Sequence, residues 1–295
     1  MRVEYREEAC RTALSRVAGM PFRWTLNPYT GCAHRCTFCY VRAFERRADR
    51  PSDDRYGRSI RVKVNVAEVL RRELARASWQ REGVVVGAAT DPYQPAEGRF
   101  RLTRACLVEL SAAWTPISII TRGPLVVRDL DVLLDASSRA GVDVAVSLPT
   151  LDERVWRTTE PGTAPPASRL EAVRRLAEAG IDVAVAVAPI LPGLSDAPES
   201  LRSVVTAARE AGARSIWASV VHLRPGAREH FLAALERDWS DHVRRYEELF
   251  AGGAYLPSAL VRTLAAPARD AAASTRAAAR PRRPHAQPPQ LALLL

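Results

Sequence analysis

The chain has 295 residues, 47% of them apolar, and a formal charge of +10; that is enough apolar content to fill a core, which excludes an intrinsically disordered protein. No run approaches the ~18 apolar residues of a membrane-spanning helix, and the first twenty residues are too charged for a secretory signal, so a cytoplasmic, monomeric protein with no membrane partner is expected. Residues 1–61 carry 13 Arg against 7 acids and residues 264–295 carry 5 Arg against Asp270, so both ends offer phosphate contacts and leave DNA open as a partner, although Lys63 is the only lysine and an Arg-rich composition alone would give the same charge.

Residues 1–22 read as an N-terminal extension, and RWTLNPY (23–29) reads as the first strand. Directly after it, GCAHRCTFCY places Cys32, Cys36 and Cys39 in a C-x3-C-x2-C spacing. Three crowded thiols in a reducing compartment point to metal binding or redox chemistry rather than to a disulfide scaffold. A closed zinc or ferredoxin site wants four ligands, whereas three leave one metal position open to an outside ligand. A zinc site completed by His34, or by the distant Cys10, also fits this count. Cys106 lies on an apolar helical pattern, LTRACLVEL, and reads as a buried structural thiol.

Beyond the loop, IRVKVNV (60–66) alternates as a strand, which puts Lys63 either at a cavity or on a solvent face; Glu97 in QPAEG is equally open. VNVAEVLRRELARA (64–77) has a helical period. From residue 84 to 263, short β-branched runs (84–90, 117–122, 142–148, 181–191 and 215–223) alternate with amphipathic helical patterns (102–114, 126–141, 166–180, 197–212, 227–237 and near 240–250). Three of the helices end in Ala-Gly shortly before a strand, a C-terminal cap signature. The pattern gives an α/β chain of six βα units over 23–263, compatible with a doubly wound sheet or a partial barrel; both place function in the loops after the strands. Residues 264–295, rich in Ala, Arg and Pro, show no apolar period and are expected to form a disordered tail.

The cysteine spacing, the aromatic Phe38 before the third cysteine, and the position after strand one resemble the radical S-adenosylmethionine superfamily. NPYTGCAHRCTFCYVR, TDPYQPAEGRFRLTR (90–104) and ITRGPLVVRDLDVLL (120–134) are similar to its spore photoproduct lyase-like, or DNA repair photolyase-like, branch. The resemblance implies a partial (β/α)6 barrel and a 4Fe–4S cluster held by Cys32, Cys36 and Cys39. It further implies S-adenosylmethionine chelated at the open iron and cleaved reductively to a 5'-deoxyadenosyl radical, with an external flavodoxin- or ferredoxin-type electron donor. Thr90 and Asp91 would form the wall around the methionine end of the cofactor. Arg122, where the lyases have a lysine, would pair with its carboxylate; Ser147 would bond ribose or carboxylate; Phe38 and Tyr40 would flank adenine. The lyases carry a hydrogen-donating cysteine just ahead of the strand-two Ser-Asp step, where this chain has Ala88 and Ala89, so repair by that route is not expected. The alternative is a zinc- or cluster-stabilised nucleic-acid-binding module without catalysis.

Overall fold

The computed structural model describes residues 3–275. In chain order its strands are β1 (Glu4–Glu8), β2 (Leu14–Arg16), β3 (Trp24–Leu26), β4 (Tyr29–Thr30), β5 (Ser59–Lys63), β6 (Val84–Val86), β7 (Ile117–Thr121), β8 (Val142–Ser147), β9 (Asp182–Ile190) and β10 (Ser215–Val220). The α-helices are α1 (Val41–Arg47), α2 (Val66–Leu74), α3 (Pro95–Phe100), α4 (Leu102–Ala112), α5 (Leu130–Arg139), α6 (Glu153–Thr159), α7 (Pro166–Glu178), α8 (Pro198–Glu210), α9 (Ala227–Asp238), α10 (Val243–Leu249) and α11 (Ser258–Ser274).

Six parallel strands, β3, β6, β7, β8, β9 and β10, stand side by side in chain order. A doubly wound sheet would reverse that order at a switch point, so the architecture is the partial (β/α)6 barrel. β2 adds antiparallel to β3, and β10 forms the opposite edge. The strands are buried because their β-branched residues have cover on both faces: all three valines of β6 are buried. On α8, Leu201, Val204, Val205 and Ala208 form one apolar stripe at helical spacing. The three Ala-Gly helix ends take the expected left-handed glycine, at Gly141, Gly180 and Gly212.

The structure differs from these expectations in four places. RWTLNPY is two strands, because Pro28 has no N–H for a ladder, and the chain turns there so that β4 pairs with β5 in a separate three-stranded sheet with β1. The N-terminal extension is therefore part of the fold, supplying β1 to one sheet and β2 to the other. Lys63 is half-buried and does not line the cavity; its ammonium donates to the Asn27 carbonyl at 2.9 Å.

The last difference is where the expected tail begins, which is beyond residue 264. Residues 264–274 continue α11, which buries Ala265 and Ala268 and packs on β10 and α8. Small alanines let the helix approach the sheet closely, and the interior Pro267 hides the period from a sequence reading. Residues 276–295 lie outside the described residues. Ala265→Asp would bury an unpaired carboxylate and is expected to cost at least ~2 kcal/mol, read as a lower Tm. The exposed Thr263→Asp should leave Tm nearly unchanged; equal behaviour of the two would deny α11 a packed face.

Candidate active site

The barrel strands end at a cavity of about 250 Å³ whose walls include Cys32, Cys36 and Cys39. The loop that carries them turns back on itself through backbone bonds to the cysteine carbonyls: Arg35 N–H to Cys32, Cys39 N–H to Cys36 and Arg42 N–H to Cys39, at 3.2–3.3 Å. It has no ladder of its own, so its polar groups are held from elsewhere. Gln94, at the start of α3, accepts from Ala33 N–H at 2.9 Å and donates to the Gly31 carbonyl at 3.0 Å, and the Thr90 hydroxyl reaches the same carbonyl at 2.6 Å. From the other side, Thr37 N–H donates to the Thr159 carbonyl at 2.8 Å and Gly162 N–H to the His34 carbonyl at 3.0 Å. Gly57 packs so closely that an added Cβ would stand 2.3 Å from the Cys32 carbonyl oxygen.

Asp91 is buried and fully engaged. Its carboxylate accepts from Tyr93 N–H at 2.9 Å, the Thr121 hydroxyl at 2.6 Å and Arg122 N–H at 2.7 Å. His34 Nδ1 stands 3.3 Å away, at an angle that makes no hydrogen bond. Burial opposes ionisation of Asp91, but His34 and the donated hydrogen bonds outweigh it and hold its pKa below the usual carboxylate range.

Arg122 follows β7 into the cavity. Its Nε donates to Glu160 at 2.7 Å and its guanidinium lies 5.7 Å from the centre of the Phe38 ring. Burial disfavours its charge, but Cys36 and Glu160 overcome that and raise its pKa. Glu160 is in turn held by Arg169 at 3.0 Å, and Arg169 also donates to the Ser147 carbonyl at 3.1 Å. Burial pushes the Cys36 thiol well above its ordinary pKa, with Arg122 pulling it back.

All nine residues expected from the sequence, Cys32, Cys36, Phe38, Cys39, Tyr40, Thr90, Asp91, Arg122 and Ser147, line this one cavity. The Tyr40 ring is partly exposed, packs against Phe44 and His222, and its hydroxyl donates to the Ala88 carbonyl. Cys10 and Cys106 lie apart from the cavity lining. Glu97 is buried in a structural network, accepting from Tyr29, Thr103 N–H and Arg128. Sequence reading missed Gln94, Glu160 and Arg169, polar residues made important by burial alone, and Trp217 and His222, which line the cavity beside the open barrel edge.

The donor set distinguishes the metals. Among the described residues, no three His, Cys, Asp or Glu side chains converge on one ion-sized point. A zinc tetrahedron needs its thiolates about 2.3 Å from one centre, whereas an iron–sulfur cube takes each thiolate at a separate corner. Among the described residues five buried side-chain polar atoms lack a partner, and three of them, His34 Nδ1, Arg35 Nε and Arg42 Nε, belong to the cysteine segment and α1. A hydrogen-bond acceptor is what such nitrogens lack, and the sulfides and thiolates of a cluster are acceptors.

A cavity at the C-terminal ends of a partial βα barrel, walled by three thiols and a buried arginine, defines the class as a cofactor-dependent α/β enzyme. The family model described as "Radical SAM superfamily" matches residues 26–204, and the chain belongs to that superfamily. It is a radical S-adenosylmethionine enzyme whose cofactors are a 4Fe–4S cluster and S-adenosylmethionine. An uncharacterized protein of Mycobacterium tuberculosis is 41% identical over 258 residues, 86% of this chain and 76% of that protein. One from Acidianus two-tailed virus is 30% identical over 68% of each chain. Among solved structures, a spore photoproduct lyase mutant with bound AdoMet and dinucleoside spore photoproduct shares the fold, with TM-score 0.61 and 17% identity over 86% of this chain and 82% of its own.

Gly162→Ala tests the lock on the loop. The new Cβ would sit 2.3 Å from the Ala33 carbonyl oxygen and 2.8 Å from that of His34, both backbone atoms, so a loss of roughly 1–3 kcal/mol and poorer retention of iron and sulfide are expected. Gly252→Ala, where an added Cβ meets nothing within 4 Å, is the control in thermal unfolding and iron analysis.

Proposed function

We propose that Cys32, Cys36 and Cys39 hold the cluster at three corners and that the chain cleaves S-adenosylmethionine reductively to generate a 5'-deoxyadenosyl radical, which abstracts hydrogen from a substrate at the open side of the barrel. The observation that carries this reading is that the three thiols, Arg122 and Ser147, from three separate segments, line the same small cavity. The cluster, reduced by an external flavodoxin- or ferredoxin-type donor, supplies the electron and the open iron.

The chain's own residues then have distinct tasks. Arg122 spends its Nε on Glu160 and reaches the Ala188 carbonyl with Nη2 at 3.4 Å, which leaves Nη1 to meet the methionine carboxylate. Thr90 and Asp91 stand in the cofactor wall, but their polar atoms are committed to the loop and to Arg122, so they act by positioning. Ser147 offers a hydroxyl from the end of β8, and Phe38 and Tyr40 bound the place for adenine. The cavity lining contains no thiol beyond the three, and Ala88 and Ala89 stand where the lyases have theirs. Hydrogen return by cysteine is therefore not part of this reading.

The mouth of the cavity favours a planar substrate. Trp217 is 45% exposed there, and beside it His222 stacks on Tyr255 at 5.2 Å while Arg224 donates to the Tyr255 hydroxyl. Aromatic faces with an adjacent arginine suit an unpaired base, so DNA remains the substrate class to test first. Trp217→Ala should then weaken binding of a single-stranded oligonucleotide, measured by fluorescence anisotropy at low salt, by ~1 kcal/mol or more; native protein that binds none excludes this substrate.

Each single change of Cys32, Cys36 or Cys39 to Ala is expected to abolish both the cluster and formation of 5'-deoxyadenosine under anaerobic, reducing conditions. Arg122→Ala should weaken S-adenosylmethionine binding about tenfold, ~1.4 kcal/mol. A native protein that takes up no inorganic sulfide on anaerobic reconstitution, or that holds one zinc per chain instead, refutes the assignment.

A further inference from the structure

Two arginines of the described chain stand out as large, fully buried side chains: Arg169 and Arg42. Arg169 has its counter-charge, Glu160, at 3.0 Å. Arg42, 1% exposed, forms an ion pair with no carboxylate among the described residues. Its Nη1 donates to the Ser52 and Asp53 carbonyls at 2.8 and 2.7 Å, while its Nε is buried without a partner. A buried guanidinium with only neutral acceptors is a costly arrangement unless a negative charge lies close by. Cys39 and Cys36 can carry one as thiolates and both favour the Arg42 charge, while the exposed Asp53 carboxylate also feels it; Arg42 is one turn beyond Cys39, whose carbonyl accepts its N–H at 3.2 Å.

Tyr56 completes the arrangement. Its ring lies 4.6 Å from the Arg42 guanidinium carbon, and its hydroxyl is 3.8 Å from Cys39 Sγ. The ring is 3% exposed and belongs to the segment around Gly57 that presses on the Cys32 carbonyl. When Cys39 is a thiolate, only the tyrosine hydroxyl can donate in that contact.

We propose that Arg42 is the built-in counter-ion of the cluster and, with the Tyr56 hydroxyl, sets how readily the cluster accepts its electron. The inference rests on the cysteine-held cluster proposed above. A one-electron reduction makes the cluster and its thiolates more negative by one charge, so a buried cation and a hydroxyl donor both favour the reduced form and raise the reduction potential. The effect is large because neither group is screened by solvent.

The test is a redox titration of the reconstituted full-length protein, with dithionite as the one-electron donor and the reduced cluster followed by electron paramagnetic resonance. Arg42→Met, which removes the charge at similar length, should lower the ratio of reduced to oxidised cluster at the native midpoint about tenfold, a fall of about 59 mV for one electron. Tyr56→Phe should shift the midpoint in the same direction by less, and Arg42→Lys should stay near native. If Arg42→Met holds no cluster, Tyr56→Phe, which keeps the ring, decides the matter. Native midpoints in Arg42→Met and Tyr56→Phe at full iron and sulfide content overturn the proposal, as does Arg42→Lys falling as far as Arg42→Met. Failure of the native protein to take up any cluster would instead sink the underlying assignment.

Discussion

The cysteine loop is buried without a ladder, and every other feature of the site follows from how that problem is met. Buried backbone groups must be paired, and here the partners come from two loops that follow different barrel strands. Thr90 and Gln94 hold Gly31 and Ala33, while the 159–162 segment holds His34 and Thr37. The thiols therefore inherit their position from the barrel. A change in strand register would move the clamps and the loop together.

Charge follows the same economy. Glu160 sits between Arg122 and Arg169, so one buried carboxylate fixes two guanidiniums, one facing the cavity and one securing the Ser147 carbonyl at the end of β8. Arg169 anchors that carboxylate, and the carboxylate aims Arg122. Such a chain is stable only when complete, because removing any member leaves an unpaired buried charge. Arg42 lacks a partner of this kind, which sets it apart from the network and ties it to the thiols.

The fold was legible wherever one physical rule acted alone. Buried parallel strands need continuous β-branched runs, and the runs at 117–122, 142–148 and 181–191 became β7, β8 and β9 almost residue for residue. Reading failed where two rules competed. Pro28 split a stretch that reads as one strand, and alanine in α11 packs by being small, which no hydrophobic period records. The three thiols were legible because crowded cysteines have few other uses. Gln94, Glu160 and Arg169 were not, because a polar residue becomes a clamp only through burial, and burial is decided by the whole barrel.

The open edge of the barrel explains how so narrow a cavity can serve a substrate. Because β10 has no further strand to pair with, the alternation along it turns Trp217 and Ser219 toward the cavity and leaves them exposed, while Val220 is buried. Side chains help to span the gap between this edge and the cysteine segment: Tyr40 meets His222 at 5.8 Å, and His222 meets Tyr255. Side chains change rotamer far faster than strands part. A wall built from them can let a flat group reach the inner chamber while the barrel, and with it the clamp on the thiols, stays fixed.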